Sequence, residues 1–122
     1  MRLGELERAV MNELWTRPQG ARASDLAAAL ASGPAHTTVL TILERLARKG
    51  LVRREREGRA HRYYALRSKD EHVAGLMSEA FADATDRQSA LTHFLDSVSP
   101  GDVEVLRQIL DGSGEDGREQ TR

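Results

Sequence analysis

Thr37, Thr38, Leu40 and Thr41 stand just ahead of a dense run of cations. From Glu44 to Arg62 the chain carries 8 basic residues and 3 acidic ones, the basic ones including Arg45, Arg48, Lys49, Arg54, Arg56, Arg59 and Arg62. Threonine hydroxyls can hydrogen-bond base edges or phosphates, and threonine and leucine methyls can touch a thymine methyl. Guanidinium and ammonium groups grip phosphate oxygens. The threonines and Leu40 therefore read as contacts to base edges, and the cations as contacts to a nucleic-acid backbone. Each also has a plainer reading: a threonine can cap a helix, Leu40 can be partly core, and some arginines can pair with Glu55 or Glu57.

Other chemistry is poorly represented. The sequence holds no His-Glu-x-x-His, Walker loop, Gly-x-Ser-x-Gly or Gly-x-Gly-x-x-Gly. His36, His61, His72 and His93 form no local pair with metal-ligand spacing, and His93 with Asp96 reads as a surface polar pair. With no Cys there is no thiolate metal site, disulfide or thiol nucleophile. Neither an enzyme nor a cofactor is expected.

The net charge of −1 over 122 residues looks unsuited to a polyanion, but it conceals a division. Residues 1–66 hold 12 Lys and Arg against 7 Asp and Glu, a net +5, while residues 67–122 hold 6 against 12, a net −6. Such asymmetry points to two tasks on one chain. No apolar run reaches the roughly 18 to 20 residues of a membrane span. The first residues, Met1-Arg2-Leu3-Gly4-Glu5, lack the apolar stretch of a secretory signal, so a cytoplasmic location without membrane insertion is expected.

The elements that must position the threonines and arginines follow from periodicity. Leu3, Leu6, Val10 and Leu14, with Met11 and Trp15, predict a helix over about 5–16, closed by Pro18 and Gly20. Ala21-Arg22-Ala23 suits a brief strand. Ser24 reads as the N-cap of a short helix ending near Ala31, before the breaker Ser32-Gly33-Pro34. A third helix is predicted from His36 to Lys49, with Gly50 just past its end. Its apolar stripe is Val39, Ile42, Leu43, Leu46 and Ala47, and Thr37, Thr41, Glu44, Arg45 and Arg48 share the opposite face. Residues 52–66 alternate as two strands around Gly58, with Arg59 at the tip and Tyr63 and Tyr64 as packing residues. Helix, strand, helix, helix and hairpin in that order make a winged helix over 1–66, whose third helix suits a DNA major groove.

Residues 67–112 read as helices with narrow apolar stripes. Ser68 can cap the first, and Pro100 suits the first turn of the last. The stripes include Val73, Leu76, Met77 and Phe81, then Leu91, Phe94 and Leu95, then Val103, Leu106 and Leu110. They are expected to pair with a second copy of the chain, giving a homodimer. Residues 113–122 read as a disordered tail. The fold class is mainly α with a small β-hairpin wing: a winged helix-turn-helix plus a C-terminal helical dimerisation region.

At these residues the chain resembles the penicillinase repressor family, the winged-helix repressors of BlaI/MecI/CopY type, along almost its whole length. The carrying segments are Leu6 to Trp15, Thr37 to Val52 with its Thr-Thr-Val-x-Thr-x-Leu-x-Arg-Leu run, and Gly58-Arg-Ala-His-Arg-Tyr63. The resemblance implies a cytoplasmic homodimeric repressor that binds a palindromic double-stranded DNA operator, typically with TACA/TGTA-type half-sites, often at a β-lactamase operon or its own. It places base contacts on Thr37, Thr38, Leu40 and Thr41. His36 stands where family members commonly carry an aromatic residue, or have a more basic helix start. In staphylococcal members a membrane sensor metalloprotease triggers cleavage between Asn and Phe, and the matching positions here are His93 and Phe94, so the Asn is missing. The copper-responsive branch's Cys-rich motif is absent. A winged helix controlled by a small-molecule ligand, or one used only for protein interaction, are the alternatives.

Overall fold

A computed structural model describes residues 3–120, and for 113–120 it describes the backbone alone. The chain divides into two compact units, Met1–Glu79 and Ala80–Arg122. The division falls well beyond residue 66, where the sequence pattern alone would put it, because the residues just after the hairpin pack against the first helix.

In the first unit, α1 (Glu5–Trp15) leads to β1 (Ala21–Arg22), α2 (Ala23–Ala29), α3 (His36–Arg48) and the strands β2 (Val52–Glu57) and β3 (Ala60–Ala65). The sheet is antiparallel in the order β1-β3-β2, with Ala21 opposite Tyr63 and Arg54 opposite Tyr63 on the other side. The core gathers Val10, Met11 and Leu14 of α1, Leu26 of α2, Val39, Leu43 and Leu46 of α3, and Val52 and Tyr63 of the sheet. The apolar stripes of all three helices thus close on one face of a small sheet.

One local detail differs from the sequence reading, and one plainer alternative drops out. Ser24 lies inside the first turn of α2, and the helix is started by the Asp25 carboxylate, which accepts the Arg22 amide at 3.1 Å. The N-cap of α3 is Ala35, so Thr37 is a residue of the first turn and not a cap. The end of α3 is as expected: Gly50 has φ +80, and the Leu51 amide donates back to the Leu46 carbonyl at 3.0 Å.

After the sheet, α4 (Lys69–Ala82) begins with a reciprocal cap, Ser68 Oγ accepting the Glu71 amide and Glu71 Oε1 accepting the Ser68 amide. Its first turns belong to the first unit. The Trp15 ring lies 5.3 Å from that of His72, and Trp15 Nε1 donates to the Arg67 carbonyl at 3.0 Å.

The second unit holds α5 (Arg87–Ser97) and α6 (Pro100–Gln120). The tail expected from residue 113 is instead helical up to Gln120, because glycine weakens a helix by about 1 kcal/mol without ending it as proline does. Residues 121–122 lie outside the described residues. Neither α4 nor α5 buries a single residue. Val73, Met77, Leu91, Phe94, Leu95, Leu106 and Leu110 are all exposed, while Leu76, Phe81 and Val103 are half-buried.

Candidate nucleic-acid interface

The outer face of α3 is set by its inner one. Val39, Ile42, Leu43 and Leu46 are buried, so Thr37, Thr41, Glu44, Arg45 and Arg48 emerge on the far side, and all five are exposed. Thr38 is exposed on the flank that, with Thr41 and Arg45, borders a shallow recess shared with Gly4, Leu6 and Glu7 of the α1 end. Leu40 is half-buried and packs partly against the core, in line with its plainer reading. The Thr41 hydroxyl donates to the Thr37 carbonyl at 3.0 Å, which leaves its oxygen lone pairs and methyl to face outward. No side chain caps the first turn of α3, and no acidic residue lies there, so its open amides suit an oxygen-rich partner.

The cations sort into two groups. Arg48, Arg54 and Arg59 are exposed, and no side-chain hydrogen bond or ion pair among the described residues engages them. Arg59 sits at the hairpin tip beside Gly58, whose φ of +65 fits the glycine position of a two-residue turn. Arg56 donates only from Nε, to the Gly58 carbonyl at 3.2 Å. Arg54 and Arg56 share a hairpin face with Val52 and Tyr63, the residues that enter the core together with α3. That face leaves the core as a cationic edge on the α3 side of the sheet.

Lys49 and Arg62, also expected to hold a nucleic-acid backbone, are engaged within the protein. The Lys49 ammonium lies 3.1 and 3.0 Å from the two carboxylate oxygens of Glu7, which is buried. The Gly4 amide and then the Lys49 ammonium hold the Glu7 carboxyl below its ordinary pKa. Arg62 donates from Nε to Glu57 at 2.9 Å, and from a terminal nitrogen to the Gln19 and Gly20 carbonyls at 3.4 and 3.3 Å. Glu57 also accepts from Arg22 at 2.6 Å. Arg53 pairs with Glu55 at 2.7 Å and lies 4.1 Å over the Tyr64 ring.

Sequence reasoning named Glu55 and Glu57 as partners for wing arginines, but it missed Glu7 and Arg22. Glu57 and Arg22 are 35 residues apart, and Glu7 and Lys49 are 42 apart, so no local spacing could have joined them. His93 and Phe94 both lie exposed on α5. Among the described residues no three His, Asp or Glu side chains gather as a metal site, and no helix is long and apolar enough to cross a membrane.

A family model described as "Penicillinase repressor" matches residues 3–112. Proteins named "Transcriptional regulator BlaI" from two strains of Mycobacterium tuberculosis are 48% identical over 114 residues, covering 89% of this chain and 83% of theirs. Among solved structures, a MarR family protein from Bacillus stearothermophilus superposes with a TM-score of 0.50 at 19% identity, covering 100% of this chain and 78% of its own. A second MarR family transcription regulator gives 0.51 at 20% identity, covering 98% and 74%. At those identities the likeness is one of fold, a winged helix.

Proposed function

The chain belongs to the penicillinase repressor family and is a transcriptional repressor of the DNA-binding winged-helix type; from that premise we propose that it reads a palindromic operator as a homodimer, through α3 and the wing. Thr37, Thr38, Thr41 and the exposed part of Leu40 meet base edges in the major groove. Arg45, Arg48, Arg54, Arg56 and Arg59 meet phosphates, with Arg59 reaching furthest along the duplex. Lys49 and Arg62 are removed from that set by their internal partners.

One observation carries this reading. Within α3 and the hairpin, the cations without an ion-pair partner among the described residues (Arg45, Arg48, Arg54, Arg56 and Arg59) lie on the outer side of α3 and on one face and the tip of the hairpin. Arg53 and Arg62, in contrast, are paired with glutamates on the hairpin's opposite face, and Lys49 with Glu7 of α1. A protein-interaction module would have no need to keep guanidinium groups unpaired on the one helix and wing that a groove admits.

The homodimer is supported by the apolar side chains that α4, α5 and α6 leave uncovered. A second copy supplies the matching surface, and it places two recognition helices on half-sites about one helical turn, roughly 34 Å, apart. The acidic C-terminal half then faces away from the duplex, and the protein acts in the cytoplasm. If a sensor metalloprotease controls it, the bond between His93 and Phe94 is exposed but helical, so a turn of α5 must unwind before cleavage.

An electrophoretic shift on DNA upstream of its own gene tests the reading. Retardation that weakens with added salt is expected. No retardation at low salt would favour a protein-interaction role.

A further inference from the structure

The wing is strongly basic, yet it carries two glutamates where a purely electrostatic grip would carry none. Glu57 is the last residue of β2 and stands opposite Ala60 across the turn. Its carboxylate accepts Arg22 Nε at 2.6 Å and Arg62 Nε at 2.9 Å. A terminal nitrogen of Arg62 then reaches the Gln19 and Gly20 carbonyls, in the loop between α1 and β1. One acidic side chain thus ties the outer part of the hairpin to the strand and loop beside it. Both arginines hold the Glu57 carboxyl below its ordinary pKa, Arg62 most strongly.

The pairing also sorts charge by face. Residues 53, 55 and 57 of β2 share a face with 60, 62 and 64 of β3. On that face every arginine has a glutamate: Arg53 pairs with Glu55, and Arg22 and Arg62 pair with Glu57. The opposite face carries Arg54 and Arg56 with no acidic residue between them. A free Arg22 or Arg62 could reach phosphates from the wrong side of the sheet and in many registers, which favours any duplex over one sequence.

We propose that Glu57 is a positioning residue for operator recognition: it fixes the wing's direction and withholds Arg22 and Arg62 from DNA, so that discrimination rises at the expense of general affinity. The inference rests on the DNA-binding reading above. It also reverses the simple electrostatic expectation, in which an acidic residue beside DNA only weakens binding.

The test compares the full-length chain with its Glu57→Gln and Arg62→Gln variants by fluorescence anisotropy, on operator and non-operator duplexes over a salt series. Both variants alter an exposed or half-exposed group, and circular dichroism checks that each is folded. For Glu57→Gln, non-operator affinity rises, the salt slope steepens by about 0.9 for each additional phosphate neutralised, and the operator-to-non-operator ratio falls. For Arg62→Gln, the ratio falls while the slope stays unchanged, because Arg62 holds the wing and not a phosphate.

A Glu57→Gln protein with unaltered ratio and slope would overturn the proposal. So would an Arg62→Gln slope shallower by about 0.9 per protomer, which would make Arg62 a phosphate ligand. A wild-type chain that discriminates normally beside either result would leave the DNA-binding reading standing. A wild-type chain that binds no duplex would overturn both.

Discussion

Lys49, at the C-terminal end of α3, is clamped by both carboxylate oxygens of Glu7 on α1, at 3.0 and 3.1 Å. The Glu7 side chain is 9% exposed and that of Lys49 29%, so the pair is shielded from the screening that makes surface ion pairs weak. It fixes the end of α3 to the start of α1, where Glu7 also accepts the Gly4 amide at 2.9 Å.

Glu7→Gln should therefore destabilise the winged helix by about 1–3 kcal/mol, read as a lower urea midpoint. The pH dependence has a definite sign. The Glu7 pKa is lowered in the folded chain, first by the Gly4 amide and then by Lys49, so its contribution is fully present above the ordinary carboxyl pKa and is lost as pH falls through the folded value. Lys49→Gln should share the stability loss while leaving the salt slope of DNA binding unchanged. A shallower slope would return Lys49 to the phosphate-binding set.

Gly20 is the tightest point of the hairpin's attachment. At φ +76, a Cβ there would lie 2.6 Å from the Tyr63 carbonyl and 2.7 Å from the Tyr64 ring. Gly20→Ala should cost at least about 2 kcal/mol, from left-handed strain plus a backbone clash. Gly58→Ala, with the same sign of φ but open space around it, should cost about 1 kcal/mol. Equal urea midpoints for the two variants would refute the attachment.

Trp15 reports on the joint between α1 and α4, and it is the chain's sole tryptophan. His72 beside it has a lowered pKa, chiefly from burial, with Arg8 adding to the effect. The folded chain therefore favours neutral His72, and the contact is fully stable above about pH 6.5 and weakens as pH falls below it toward the folded value. Trp15 emission should shift to longer wavelength on acidification through that window, and His72→Gln should flatten the change. A wild-type spectrum that does not move with pH would contradict the packing.

How much of the molecule is legible in its sequence depends on range. The helices, the hairpin and the outer face of α3 follow from periodicities of 3.6 and 2, which the residues between His36 and Leu66 carry plainly. The split between unpaired and neutralised cations does not. Arg54 and Arg62 look alike in the sequence, and only the register that puts Arg62 beside Glu57, with Arg22 across from it, separates them. Lys49 likewise reads as one more cation in a basic run until α1 folds against α3. Beyond residue 112, glycine and charge suggest a tail, yet the backbone there continues α6.

The proposed homodimer predicts its own disruption. Leu106 is on α6, 36% exposed in the single chain, among other uncovered apolar residues. Leu106→Asp should convert the protein to a monomer in sedimentation and weaken operator binding, since one recognition helix cannot span two half-sites. A variant that still sediments as a dimer would remove Leu106 from the interface.

The most direct measurement is operator affinity against salt for the wild-type chain, Arg59→Ala and Thr41→Ala. A dimer that reads DNA through α3 and the wing should give a steep wild-type slope. Arg59→Ala should make it shallower by about 1.8, one phosphate per protomer. Thr41→Ala should leave the slope intact and weaken the operator complex by about 1 kcal/mol per half-site while sparing non-operator DNA. Three superimposable curves would contradict the assignment of α3 and the wing as the DNA-reading surface.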